Sequence, residues 1–406
     1  MTEDRKPTKG PLVGLRILDL SRLLPGPLGT MLMADMGAEV IKIENPKSPD
    51  YVRAFPPYKN GESLYYLSLN RSKRSLALDY ATEAGRETFL QLVETADIVV
   101  EQFRPGYLDT LGIGYADASI RNPGIIYVSV TGYGQTGPYA HLAGHDLNYL
   151  ALAGVLGMTG VPGEAPTPPG VQLADIAGGS YMAVIATLSA VYARQQTGQG
   201  QHVDVSMTDA VMPLLSLPYA QFMGGEPPIR GEMPLSGGLP NYGVYTCADG
   251  KYIALGTLEP KFWGKFCTLV DRPEWLHFVL PENSGQLADF KKKTGELFRT
   301  RPQAAWVQFG HDHDLLITAV LDPADLQHDP HLRARNMIEE QEHSRAGHYS
   351  TIGVPLKFSV TEARTAWPAP LFGEDTDAIL RELEEIKTQP PDYKKKSGSS
   401  SSSPSV

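Results

Sequence analysis

The chain has 406 residues, 42% of them hydrophobic and 20% charged, with a formal net charge of -10 at pH 7. Such a length predicts two domains and the composition is that of a globular enzyme, while the acidic balance argues against a nucleic-acid binder, which needs a surplus of Lys and Arg on one face. Two cysteines, Cys247 and Cys267, allow neither a disulfide framework nor a thiolate metal centre and fit a reducing compartment.

Residues 1–10 are charged and lack an apolar core, so no secretory signal is read there. Residues 15–20 form a short apolar run of strand type, followed by the turn Pro25-Gly26-Pro27 and a helical stretch over 28–36 that ends at Gly37. Residues 39–44 are again strand-like, which makes a β–turn–α–β unit. A second unit follows, with strands at 75–78 and 97–101 around an amphipathic helix at 83–96, and a further strand at 125–130. Strands alternating with helices predict an α/β fold with a doubly wound, Rossmann-like parallel sheet.

A long apolar helix is read from Asp175 to Gln195, with Gly178-Gly179-Ser180 in its first turn. A strand at 202–206 and a helix from Asp209 come next. The longest apolar run, 181–193, is shorter than a bilayer span needs, so no membrane partner and a cytoplasmic location are expected. After a Gly/Pro-rich loop at 224–242, the turn Asp249-Gly250 predicts a β-hairpin. The expected division is a large domain from 1–224 and 336–390 and a smaller α+β domain from 225–335. The Pro-, Lys- and Ser-rich tail, 391–406, is expected to be disordered.

Three polar residues stand out as candidates for chemistry. Asp175 precedes an apolar, Gly-rich helix, where an Asp serves either as an N-cap, accepting a free backbone N–H, or as a catalytic carboxylate beside N–H groups that bind an oxyanion. The glycines after it would let a ligand approach the backbone. His145 precedes Asp146, itself a candidate helix cap. A histidine there is either structural or a proton shuttle, since its ordinary pKa of about 6.5 lies near working pH. Glu259 follows an apolar strand-like run and is either a surface acid or a partner that orients a histidine. Gln102-Phe103-Arg104-Pro105-Gly106 closes a strand, the end at which parallel sheets bind ligands, and Lys73 and Arg74 flank another. No GxGxxG follows the first strand, no P-loop is present, and no metal site is expected.

Together these segments resemble the family III (CaiB/BaiF-type) CoA transferases, and within them the α-methylacyl-CoA racemases. The likeness runs from about Pro11 to Leu383. It is carried by Ala34-Asp35-Met36-Gly37-Ala38-Glu39, Phe103-Arg104-Pro105-Gly106, Thr131-Gly132-Tyr133-Gly134-Gln135-Thr136-Gly137-Pro138 and Thr197-Gly198-Gln199-Gly200-Gln201. The racemase members are matched by Gly144-His145-Asp146-Leu147-Asn148-Tyr149, by residues 235–242 and by Leu258-Glu259-Pro260-Lys261-Phe262.

The resemblance implies an enzyme acting on acyl-CoA. Asp175 stands at the family position that is a covalent nucleophile in transferases and a proton-transfer group in racemases. His145 would be the opposite acid/base and Glu259 its partner. The implied CoA contacts are Arg22, Lys73, Gln102, Phe103, Arg104 and Gly106, with no cofactor beyond the CoA of the substrate and an interlocked homodimer as the assembly. Some members carry an arginine just after the second strand where this chain has Asn45, with Lys47 or Arg53 as substitutes.

Overall fold

A computed structural model describes residues 5–279 and 285–388, so the tail at 391–406 lies outside the described residues. The chain divides into two compact units. One comprises the described parts of Met1–Ala153, Val171–Pro213 and Pro330–Val406, the other Gly154–Gly170 and Leu214–Asp329. The division therefore falls elsewhere than at 224 and 336, and it assigns the loop 154–170 to the second unit. The reason is Arg230, whose guanidinium donates to the carbonyls of Gly157, Val161 and Glu164 and so fastens that loop to its own unit.

The first unit is built on six strands: β1 (Arg16–Asp19), β2 (Glu39–Glu44), β3 (Lys73–Ala77), β4 (Ile98–Glu101), β5 (Ile126–Thr131) and β6 (Gln201–Ser206). Every pairing is parallel, and the order is β3-β2-β1-β4-β5-β6. All six residues of β5 and all four of β4 are buried, as expected of strands covered on both faces. This is the strand order of a doubly wound sheet, whose crevice opens where the winding reverses, between β1 and β4.

Helix α1 (Pro25–Asp35) fills one face, with nine of its eleven residues buried. It starts at Pro25 rather than Leu28, because a proline in the first turn has no N–H to lose and its φ already suits the helix. Helix α2 (Glu83–Val93), capped by the Thr82 side chain, buries Phe89, Leu90, Leu92 and Val93 on the other face. Leu18, Ile41, Leu76 and Val99 of the sheet join them in the core.

Between the sheet and α1 lies a buried group of charges. Lys73 is fully buried and its ammonium donates to Asp19 (3.0 Å), to the Pro27 carbonyl (2.9 Å) and to Asn70 (2.9 Å). Lys42, equally buried, donates to Asp50 (2.9 Å) and to the Ser21 carbonyl (3.0 Å). Burial pushes the Asp19 carboxyl up, but Lys73, Lys42 and the hydroxyls of Ser21 and Thr30 more than offset it and hold it at about 2.

The long apolar helix runs from Ala174 to Thr197. It opens with a π-helical stretch, Ala174–Tyr181, and continues as α4 (Met182–Thr197), preceded by α3 (Asp146–Leu152) and followed by α5 (Met207–Val211). Its 24 residues, with a mean hydropathy of 1.5 in the most apolar window, are long and apolar enough to cross a membrane by length and composition alone. This corrects the expectation from the apolar run alone. One third of that window, 33%, is buried inside the protein.

In the second unit, β7 (Tyr242–Thr246) and β8 (Tyr252–Gly256) form the predicted antiparallel hairpin, joined by β9 (Ile317–Ala319). Helices α6 (Pro260–Leu269), α7 (Leu287–Phe298) and α8 (Gln303–Asp312) pack Trp263, Phe266, Phe298 and Trp306 against it. In the first unit the chain adds a second hairpin, β10 (Ile338–His343) with β11 (Gly347–Ile352), and ends on α9 (Thr376–Thr388).

Removing the Lys73 ammonium leaves Asp19 buried beside an empty partner position, a loss that costs about 3–5 kcal/mol when one half of a buried pair is deleted. Lys73→Met is expected to lower the urea-unfolding free energy by that amount at pH 7. Because the Asp19 pKa is depressed, the stability it contributes is present above about pH 4 and is lost as the pH falls toward 2. The gap between wild type and variant should therefore narrow in acid.

Candidate active site

The motif from Gly144 to Tyr149 folds around one aromatic ring. Gly132 and Gly144 leave room for Tyr149: a Cβ at either would lie 2.2 or 2.7 Å from its ring. The Tyr149 hydroxyl donates to the Gly144 carbonyl at 2.5 Å. His145 sits at the start of α3 with its backbone N–H held by the Asn148 side chain (3.0 Å) and its side chain exposed.

Asp146 does not cap its own helix. One carboxylate oxygen, Oδ1, accepts the backbone N–H of Ala174 (2.6 Å) and of Asp175 (3.1 Å). His145 and Asp175, 30 positions apart in sequence, are thus joined through a single intervening residue. Sequence reading did not single out Asp146 for this, because nothing local marks a carboxylate whose acceptor function is spent on a distant helix.

Asp175 is the second residue of the π-helical stretch, inside the helix rather than at its N-cap. Two expectations are corrected here. The N–H groups of Ala174 and Asp175 are taken by Asp146, and that of Ile176 by the Gln172 carbonyl, so this turn does not offer them to an oxyanion. The glycines that follow do not admit a ligand either. A Cβ on Gly178 would lie 2.7 Å from the Met207 carbonyl, and one on Gly179 would lie 2.6 Å from Pro25. They let the turn pack against α1 and α5, and Ser180 adds a hydrogen bond to the Pro25 carbonyl (2.7 Å).

Burial first, and then the like charge of Asp146, pushes the Asp175 carboxyl up to about 7. Tyr149 and Tyr51 belong to the same neighbourhood. Both phenols are raised, chiefly by burial and in part by the Asp175 charge. A half-buried carboxyl that keeps its proton to near neutral pH is equipped to act as an acid as well as a base.

The crevice between β1 and β4 holds most of the residues expected to meet CoA. Arg22, Asn45, Ser48, Tyr80, Phe103, Arg104 and Tyr107 line a cavity of about 250 Å³. The Arg22 guanidinium lies 4.9 Å over the Phe103 ring. Gln102 accepts the Gly26 N–H (3.1 Å), which ties the two crevice loops together. The buried Glu101 accepts the Phe103 N–H (2.7 Å). Gly106 turns the chain with φ +81°, where any side chain would be strained.

Lys73 is corrected: all three donors of its ammonium are spent inside the buried charge group, and it presents nothing to solvent. Its neighbour Arg74 is bound by Glu39 and Glu382. Of the substitutes for an arginine at Asn45, Arg53 is held by Glu44 and Tyr66, while Lys47 stays exposed beside Asp79.

Glu259 belongs to the second unit, exposed at the N-terminus of α6. The run 235–242 is tied to Thr257, just before the run 258–262: Asn241 donates to the Thr257 carbonyl (2.8 Å) and Thr257 to the Asn241 carbonyl (3.2 Å). Among the described residues, no group of three His, Cys, Asp or Glu side chains is placed to hold a metal ion.

The raised pKa of Asp175 has a sign for stability. The unfolded chain releases this proton near pH 4 and the folded chain near 7, so the protein loses stability as pH rises across that window. Asp175→Asn is expected to remove this component. Urea unfolding of wild type and variant at pH 4.5 and pH 8 checks it, and an unchanged difference between the two would contradict the assignment.

Comparison with known proteins places this arrangement. A family model, CoA-transferase family III, matches residues 12–376. Human succinyl-CoA:glutarate CoA-transferase is 32% identical over 381 residues, 92% of this chain and 86% of that protein. Human alpha-methylacyl-CoA racemase is likewise 32% identical over 381 residues, 92% of this chain and 93% of that protein. A crystal structure of a CaiB/BaiF family protein from Brucella suis superposes with a TM-score of 0.81 at 31% identity, covering 93% of this chain and all of that one (100%). A six-stranded parallel sheet, a reversal crevice with basic and aromatic walls, and the match along nearly the whole chain lead to one conclusion: the protein belongs to CoA-transferase family III.

Proposed function

We propose that the protein interconverts the R and S forms of 2-methylacyl-CoA thioesters. The observation that carries this reading is the joining of His145 to Asp175 through Asp146, with the Asp175 carboxyl raised to about 7. Racemisation removes a weakly acidic α-proton and returns one to the opposite face of the same carbon. That needs two groups of matched basicity, one entering as base and the other as acid. A neutral imidazole at His145 takes the proton from one face. The C–H electron pair moves into an enolate, and protonated Asp175 delivers its proton to the other face. For the opposite enantiomer the roles exchange.

The enolate oxygen needs donors, and the opening of the Asp175 turn has none to spare. A helix leaves its first N–H groups without a partner of its own. At α3 the Asn148 N–H is taken by the His145 carbonyl, and the oxyanion is assigned to the N–H groups of Asp146 and Leu147 beside His145. CoA is placed in the β1/β4 crevice, with Arg22 and Arg104 toward its phosphates and Phe103 against its base. No cofactor beyond the CoA of the substrate enters the scheme, and nucleic acid has no part in it. A cytoplasmic location goes with the reading.

A homodimer completes the proposal. On a single chain Tyr139, Leu142, Leu147, Leu152, Tyr181, Ile185 and Tyr192 are exposed, an apolar surface suited to a second copy. The partner would then be able to supply Glu259 to orient His145. The alternative is a CoA transferase in which the Asp175 carboxylate attacks the thioester and forms an anhydride with release of the CoA thiolate. The equal likeness to a transferase keeps that reading in view.

His145→Ala and Asp175→Ala are each expected to abolish racemisation of a single-handed 2-methylacyl-CoA while CoA-ester binding survives. Wild-type protein should exchange the α-proton in D2O with no acceptor acid present. Lack of exchange, together with hydroxylamine trapping of Asp175 and dependence on a free carboxylic acid, would favour the transferase. Arg22→Ala is expected to weaken CoA binding about tenfold or more, read by calorimetry.

A further inference from the structure

Asp146 is an acidic group beside Asp175 whose carboxylate neither points a proton at substrate in the scheme above nor stands free. Its Oδ1 holds two N–H groups, those of Ala174 and Asp175, at 2.6 and 3.1 Å. Its backbone follows His145 directly, and that segment is itself fixed at both sides, by Asn148 on the His145 N–H and by Tyr149 on the Gly144 carbonyl. The opening of the π-helical stretch is where a helix has no internal acceptors for its N–H groups. A capping carboxylate normally comes from the chain just before the helix. Here it comes from 28 and 29 positions upstream.

We propose that Asp146 is a positioning residue that locks the two proton-transfer groups to each other: one carboxylate oxygen fixes where Asp175 starts, while the same residue fixes where His145 ends. This deepens the proposed function, on which the identity of the pair rests. The lock itself serves a nucleophilic Asp175 equally well.

The lock has an electrostatic side. Around Asp175, α3 contributes Asp146 and Tyr149, and the turn at 51–54 contributes Tyr51, with Asp50 and Arg22 near that phenol and Tyr133 near Tyr149. Helix α1 and α5 meet the turn through Pro25, Gly29, Met207 and Val211, none of them charged. Asp146 is therefore the acid that acts on Asp175 by charge, after burial.

Two substitutions separate the geometric from the electrostatic part. Asp146→Asn keeps an amide oxygen able to accept both N–H groups and removes the charge. Asp146→Ala removes both. Isotope-edited infrared difference spectra of the carboxyl band, with the Asp175 signal identified by its loss in Asp175→Asn, read the titration in the intact protein without substrate. In Asp146→Asn the Asp175 midpoint should fall by about one pH unit. The pH profile of α-proton exchange should be displaced downward with it.

In Asp146→Ala the exchange rate should fall by about a hundredfold, the scale on which a small misplacement of reacting groups acts, with CoA binding unchanged. An unmoved Asp175 midpoint in Asp146→Asn, or wild-type exchange in Asp146→Ala, overturns the proposal. If Asp146→Ala does not fold, the Asp146→Asn titration decides alone. If the midpoint moves but Asp175→Asn still racemises, the proposed function fails and the lock stands.

Discussion

The fold rests on a buried, hydrogen-bonded group of charges between the sheet and α1. Asp19 ends β1, Lys42 lies on β2 and Lys73 begins β3, so three adjacent strands meet in it. Asp50 carries it outward by accepting the N–H groups of Leu23 and Val52 and returning its own to Glu44. Such a group is a poor source of net stability, since desolvation consumes most of what the ion pairs contribute. Its value here is positional. It fixes the loop that leaves β1, where Leu23 holds a positive φ of 60° that its side chain disfavours. Arg22 is in that loop, so the crevice inherits its shape from charges that never reach solvent.

This explains why Lys73 read wrongly from sequence. A lysine at the start of a strand near a ligand crevice has the right chemistry for a phosphate. Whether it points to solvent or across the sheet depends on which face the strand presents, and Asn70, Pro27 and Asp19 are brought to that face only by the assembled fold. The same limit hid Asp146, whose acceptors lie in a helix far along the chain. The alternating strands and helices were legible because burial on both faces imposes long apolar runs. The hairpin of β10 and β11 was not, since Glu339, Glu340, Gln341 and Glu342 follow one another without alternation. The loop 154–170 was assigned to the other unit because the residues that hold it, Arg230 and Gly231, lie some 70 residues away.

Family membership leaves one scaffold with two chemistries. The features described for Asp175 serve both to a degree. A carboxyl held partly protonated is suited to proton transfer, and the same protonation makes it a weaker nucleophile at neutral pH. In the proposed reading His145, whose segment is built around Tyr149, is the second proton-transfer group.

The π-helical opening of the long helix carries a further consequence for how this site can vary over evolution. A π turn accommodates an extra residue in the space of a regular one, and such insertions persist where they serve function. Losing a single residue between Ala174 and Tyr181 would restore regular winding downstream while rotating everything before it. The side chain at 175 would then swing away from the phenols of Tyr51 and Tyr149, and the glycines would lose their register with Pro25 and Met207. A change in the length of this stretch therefore displaces the side chain at 175 and the packing of Gly178 and Gly179 together.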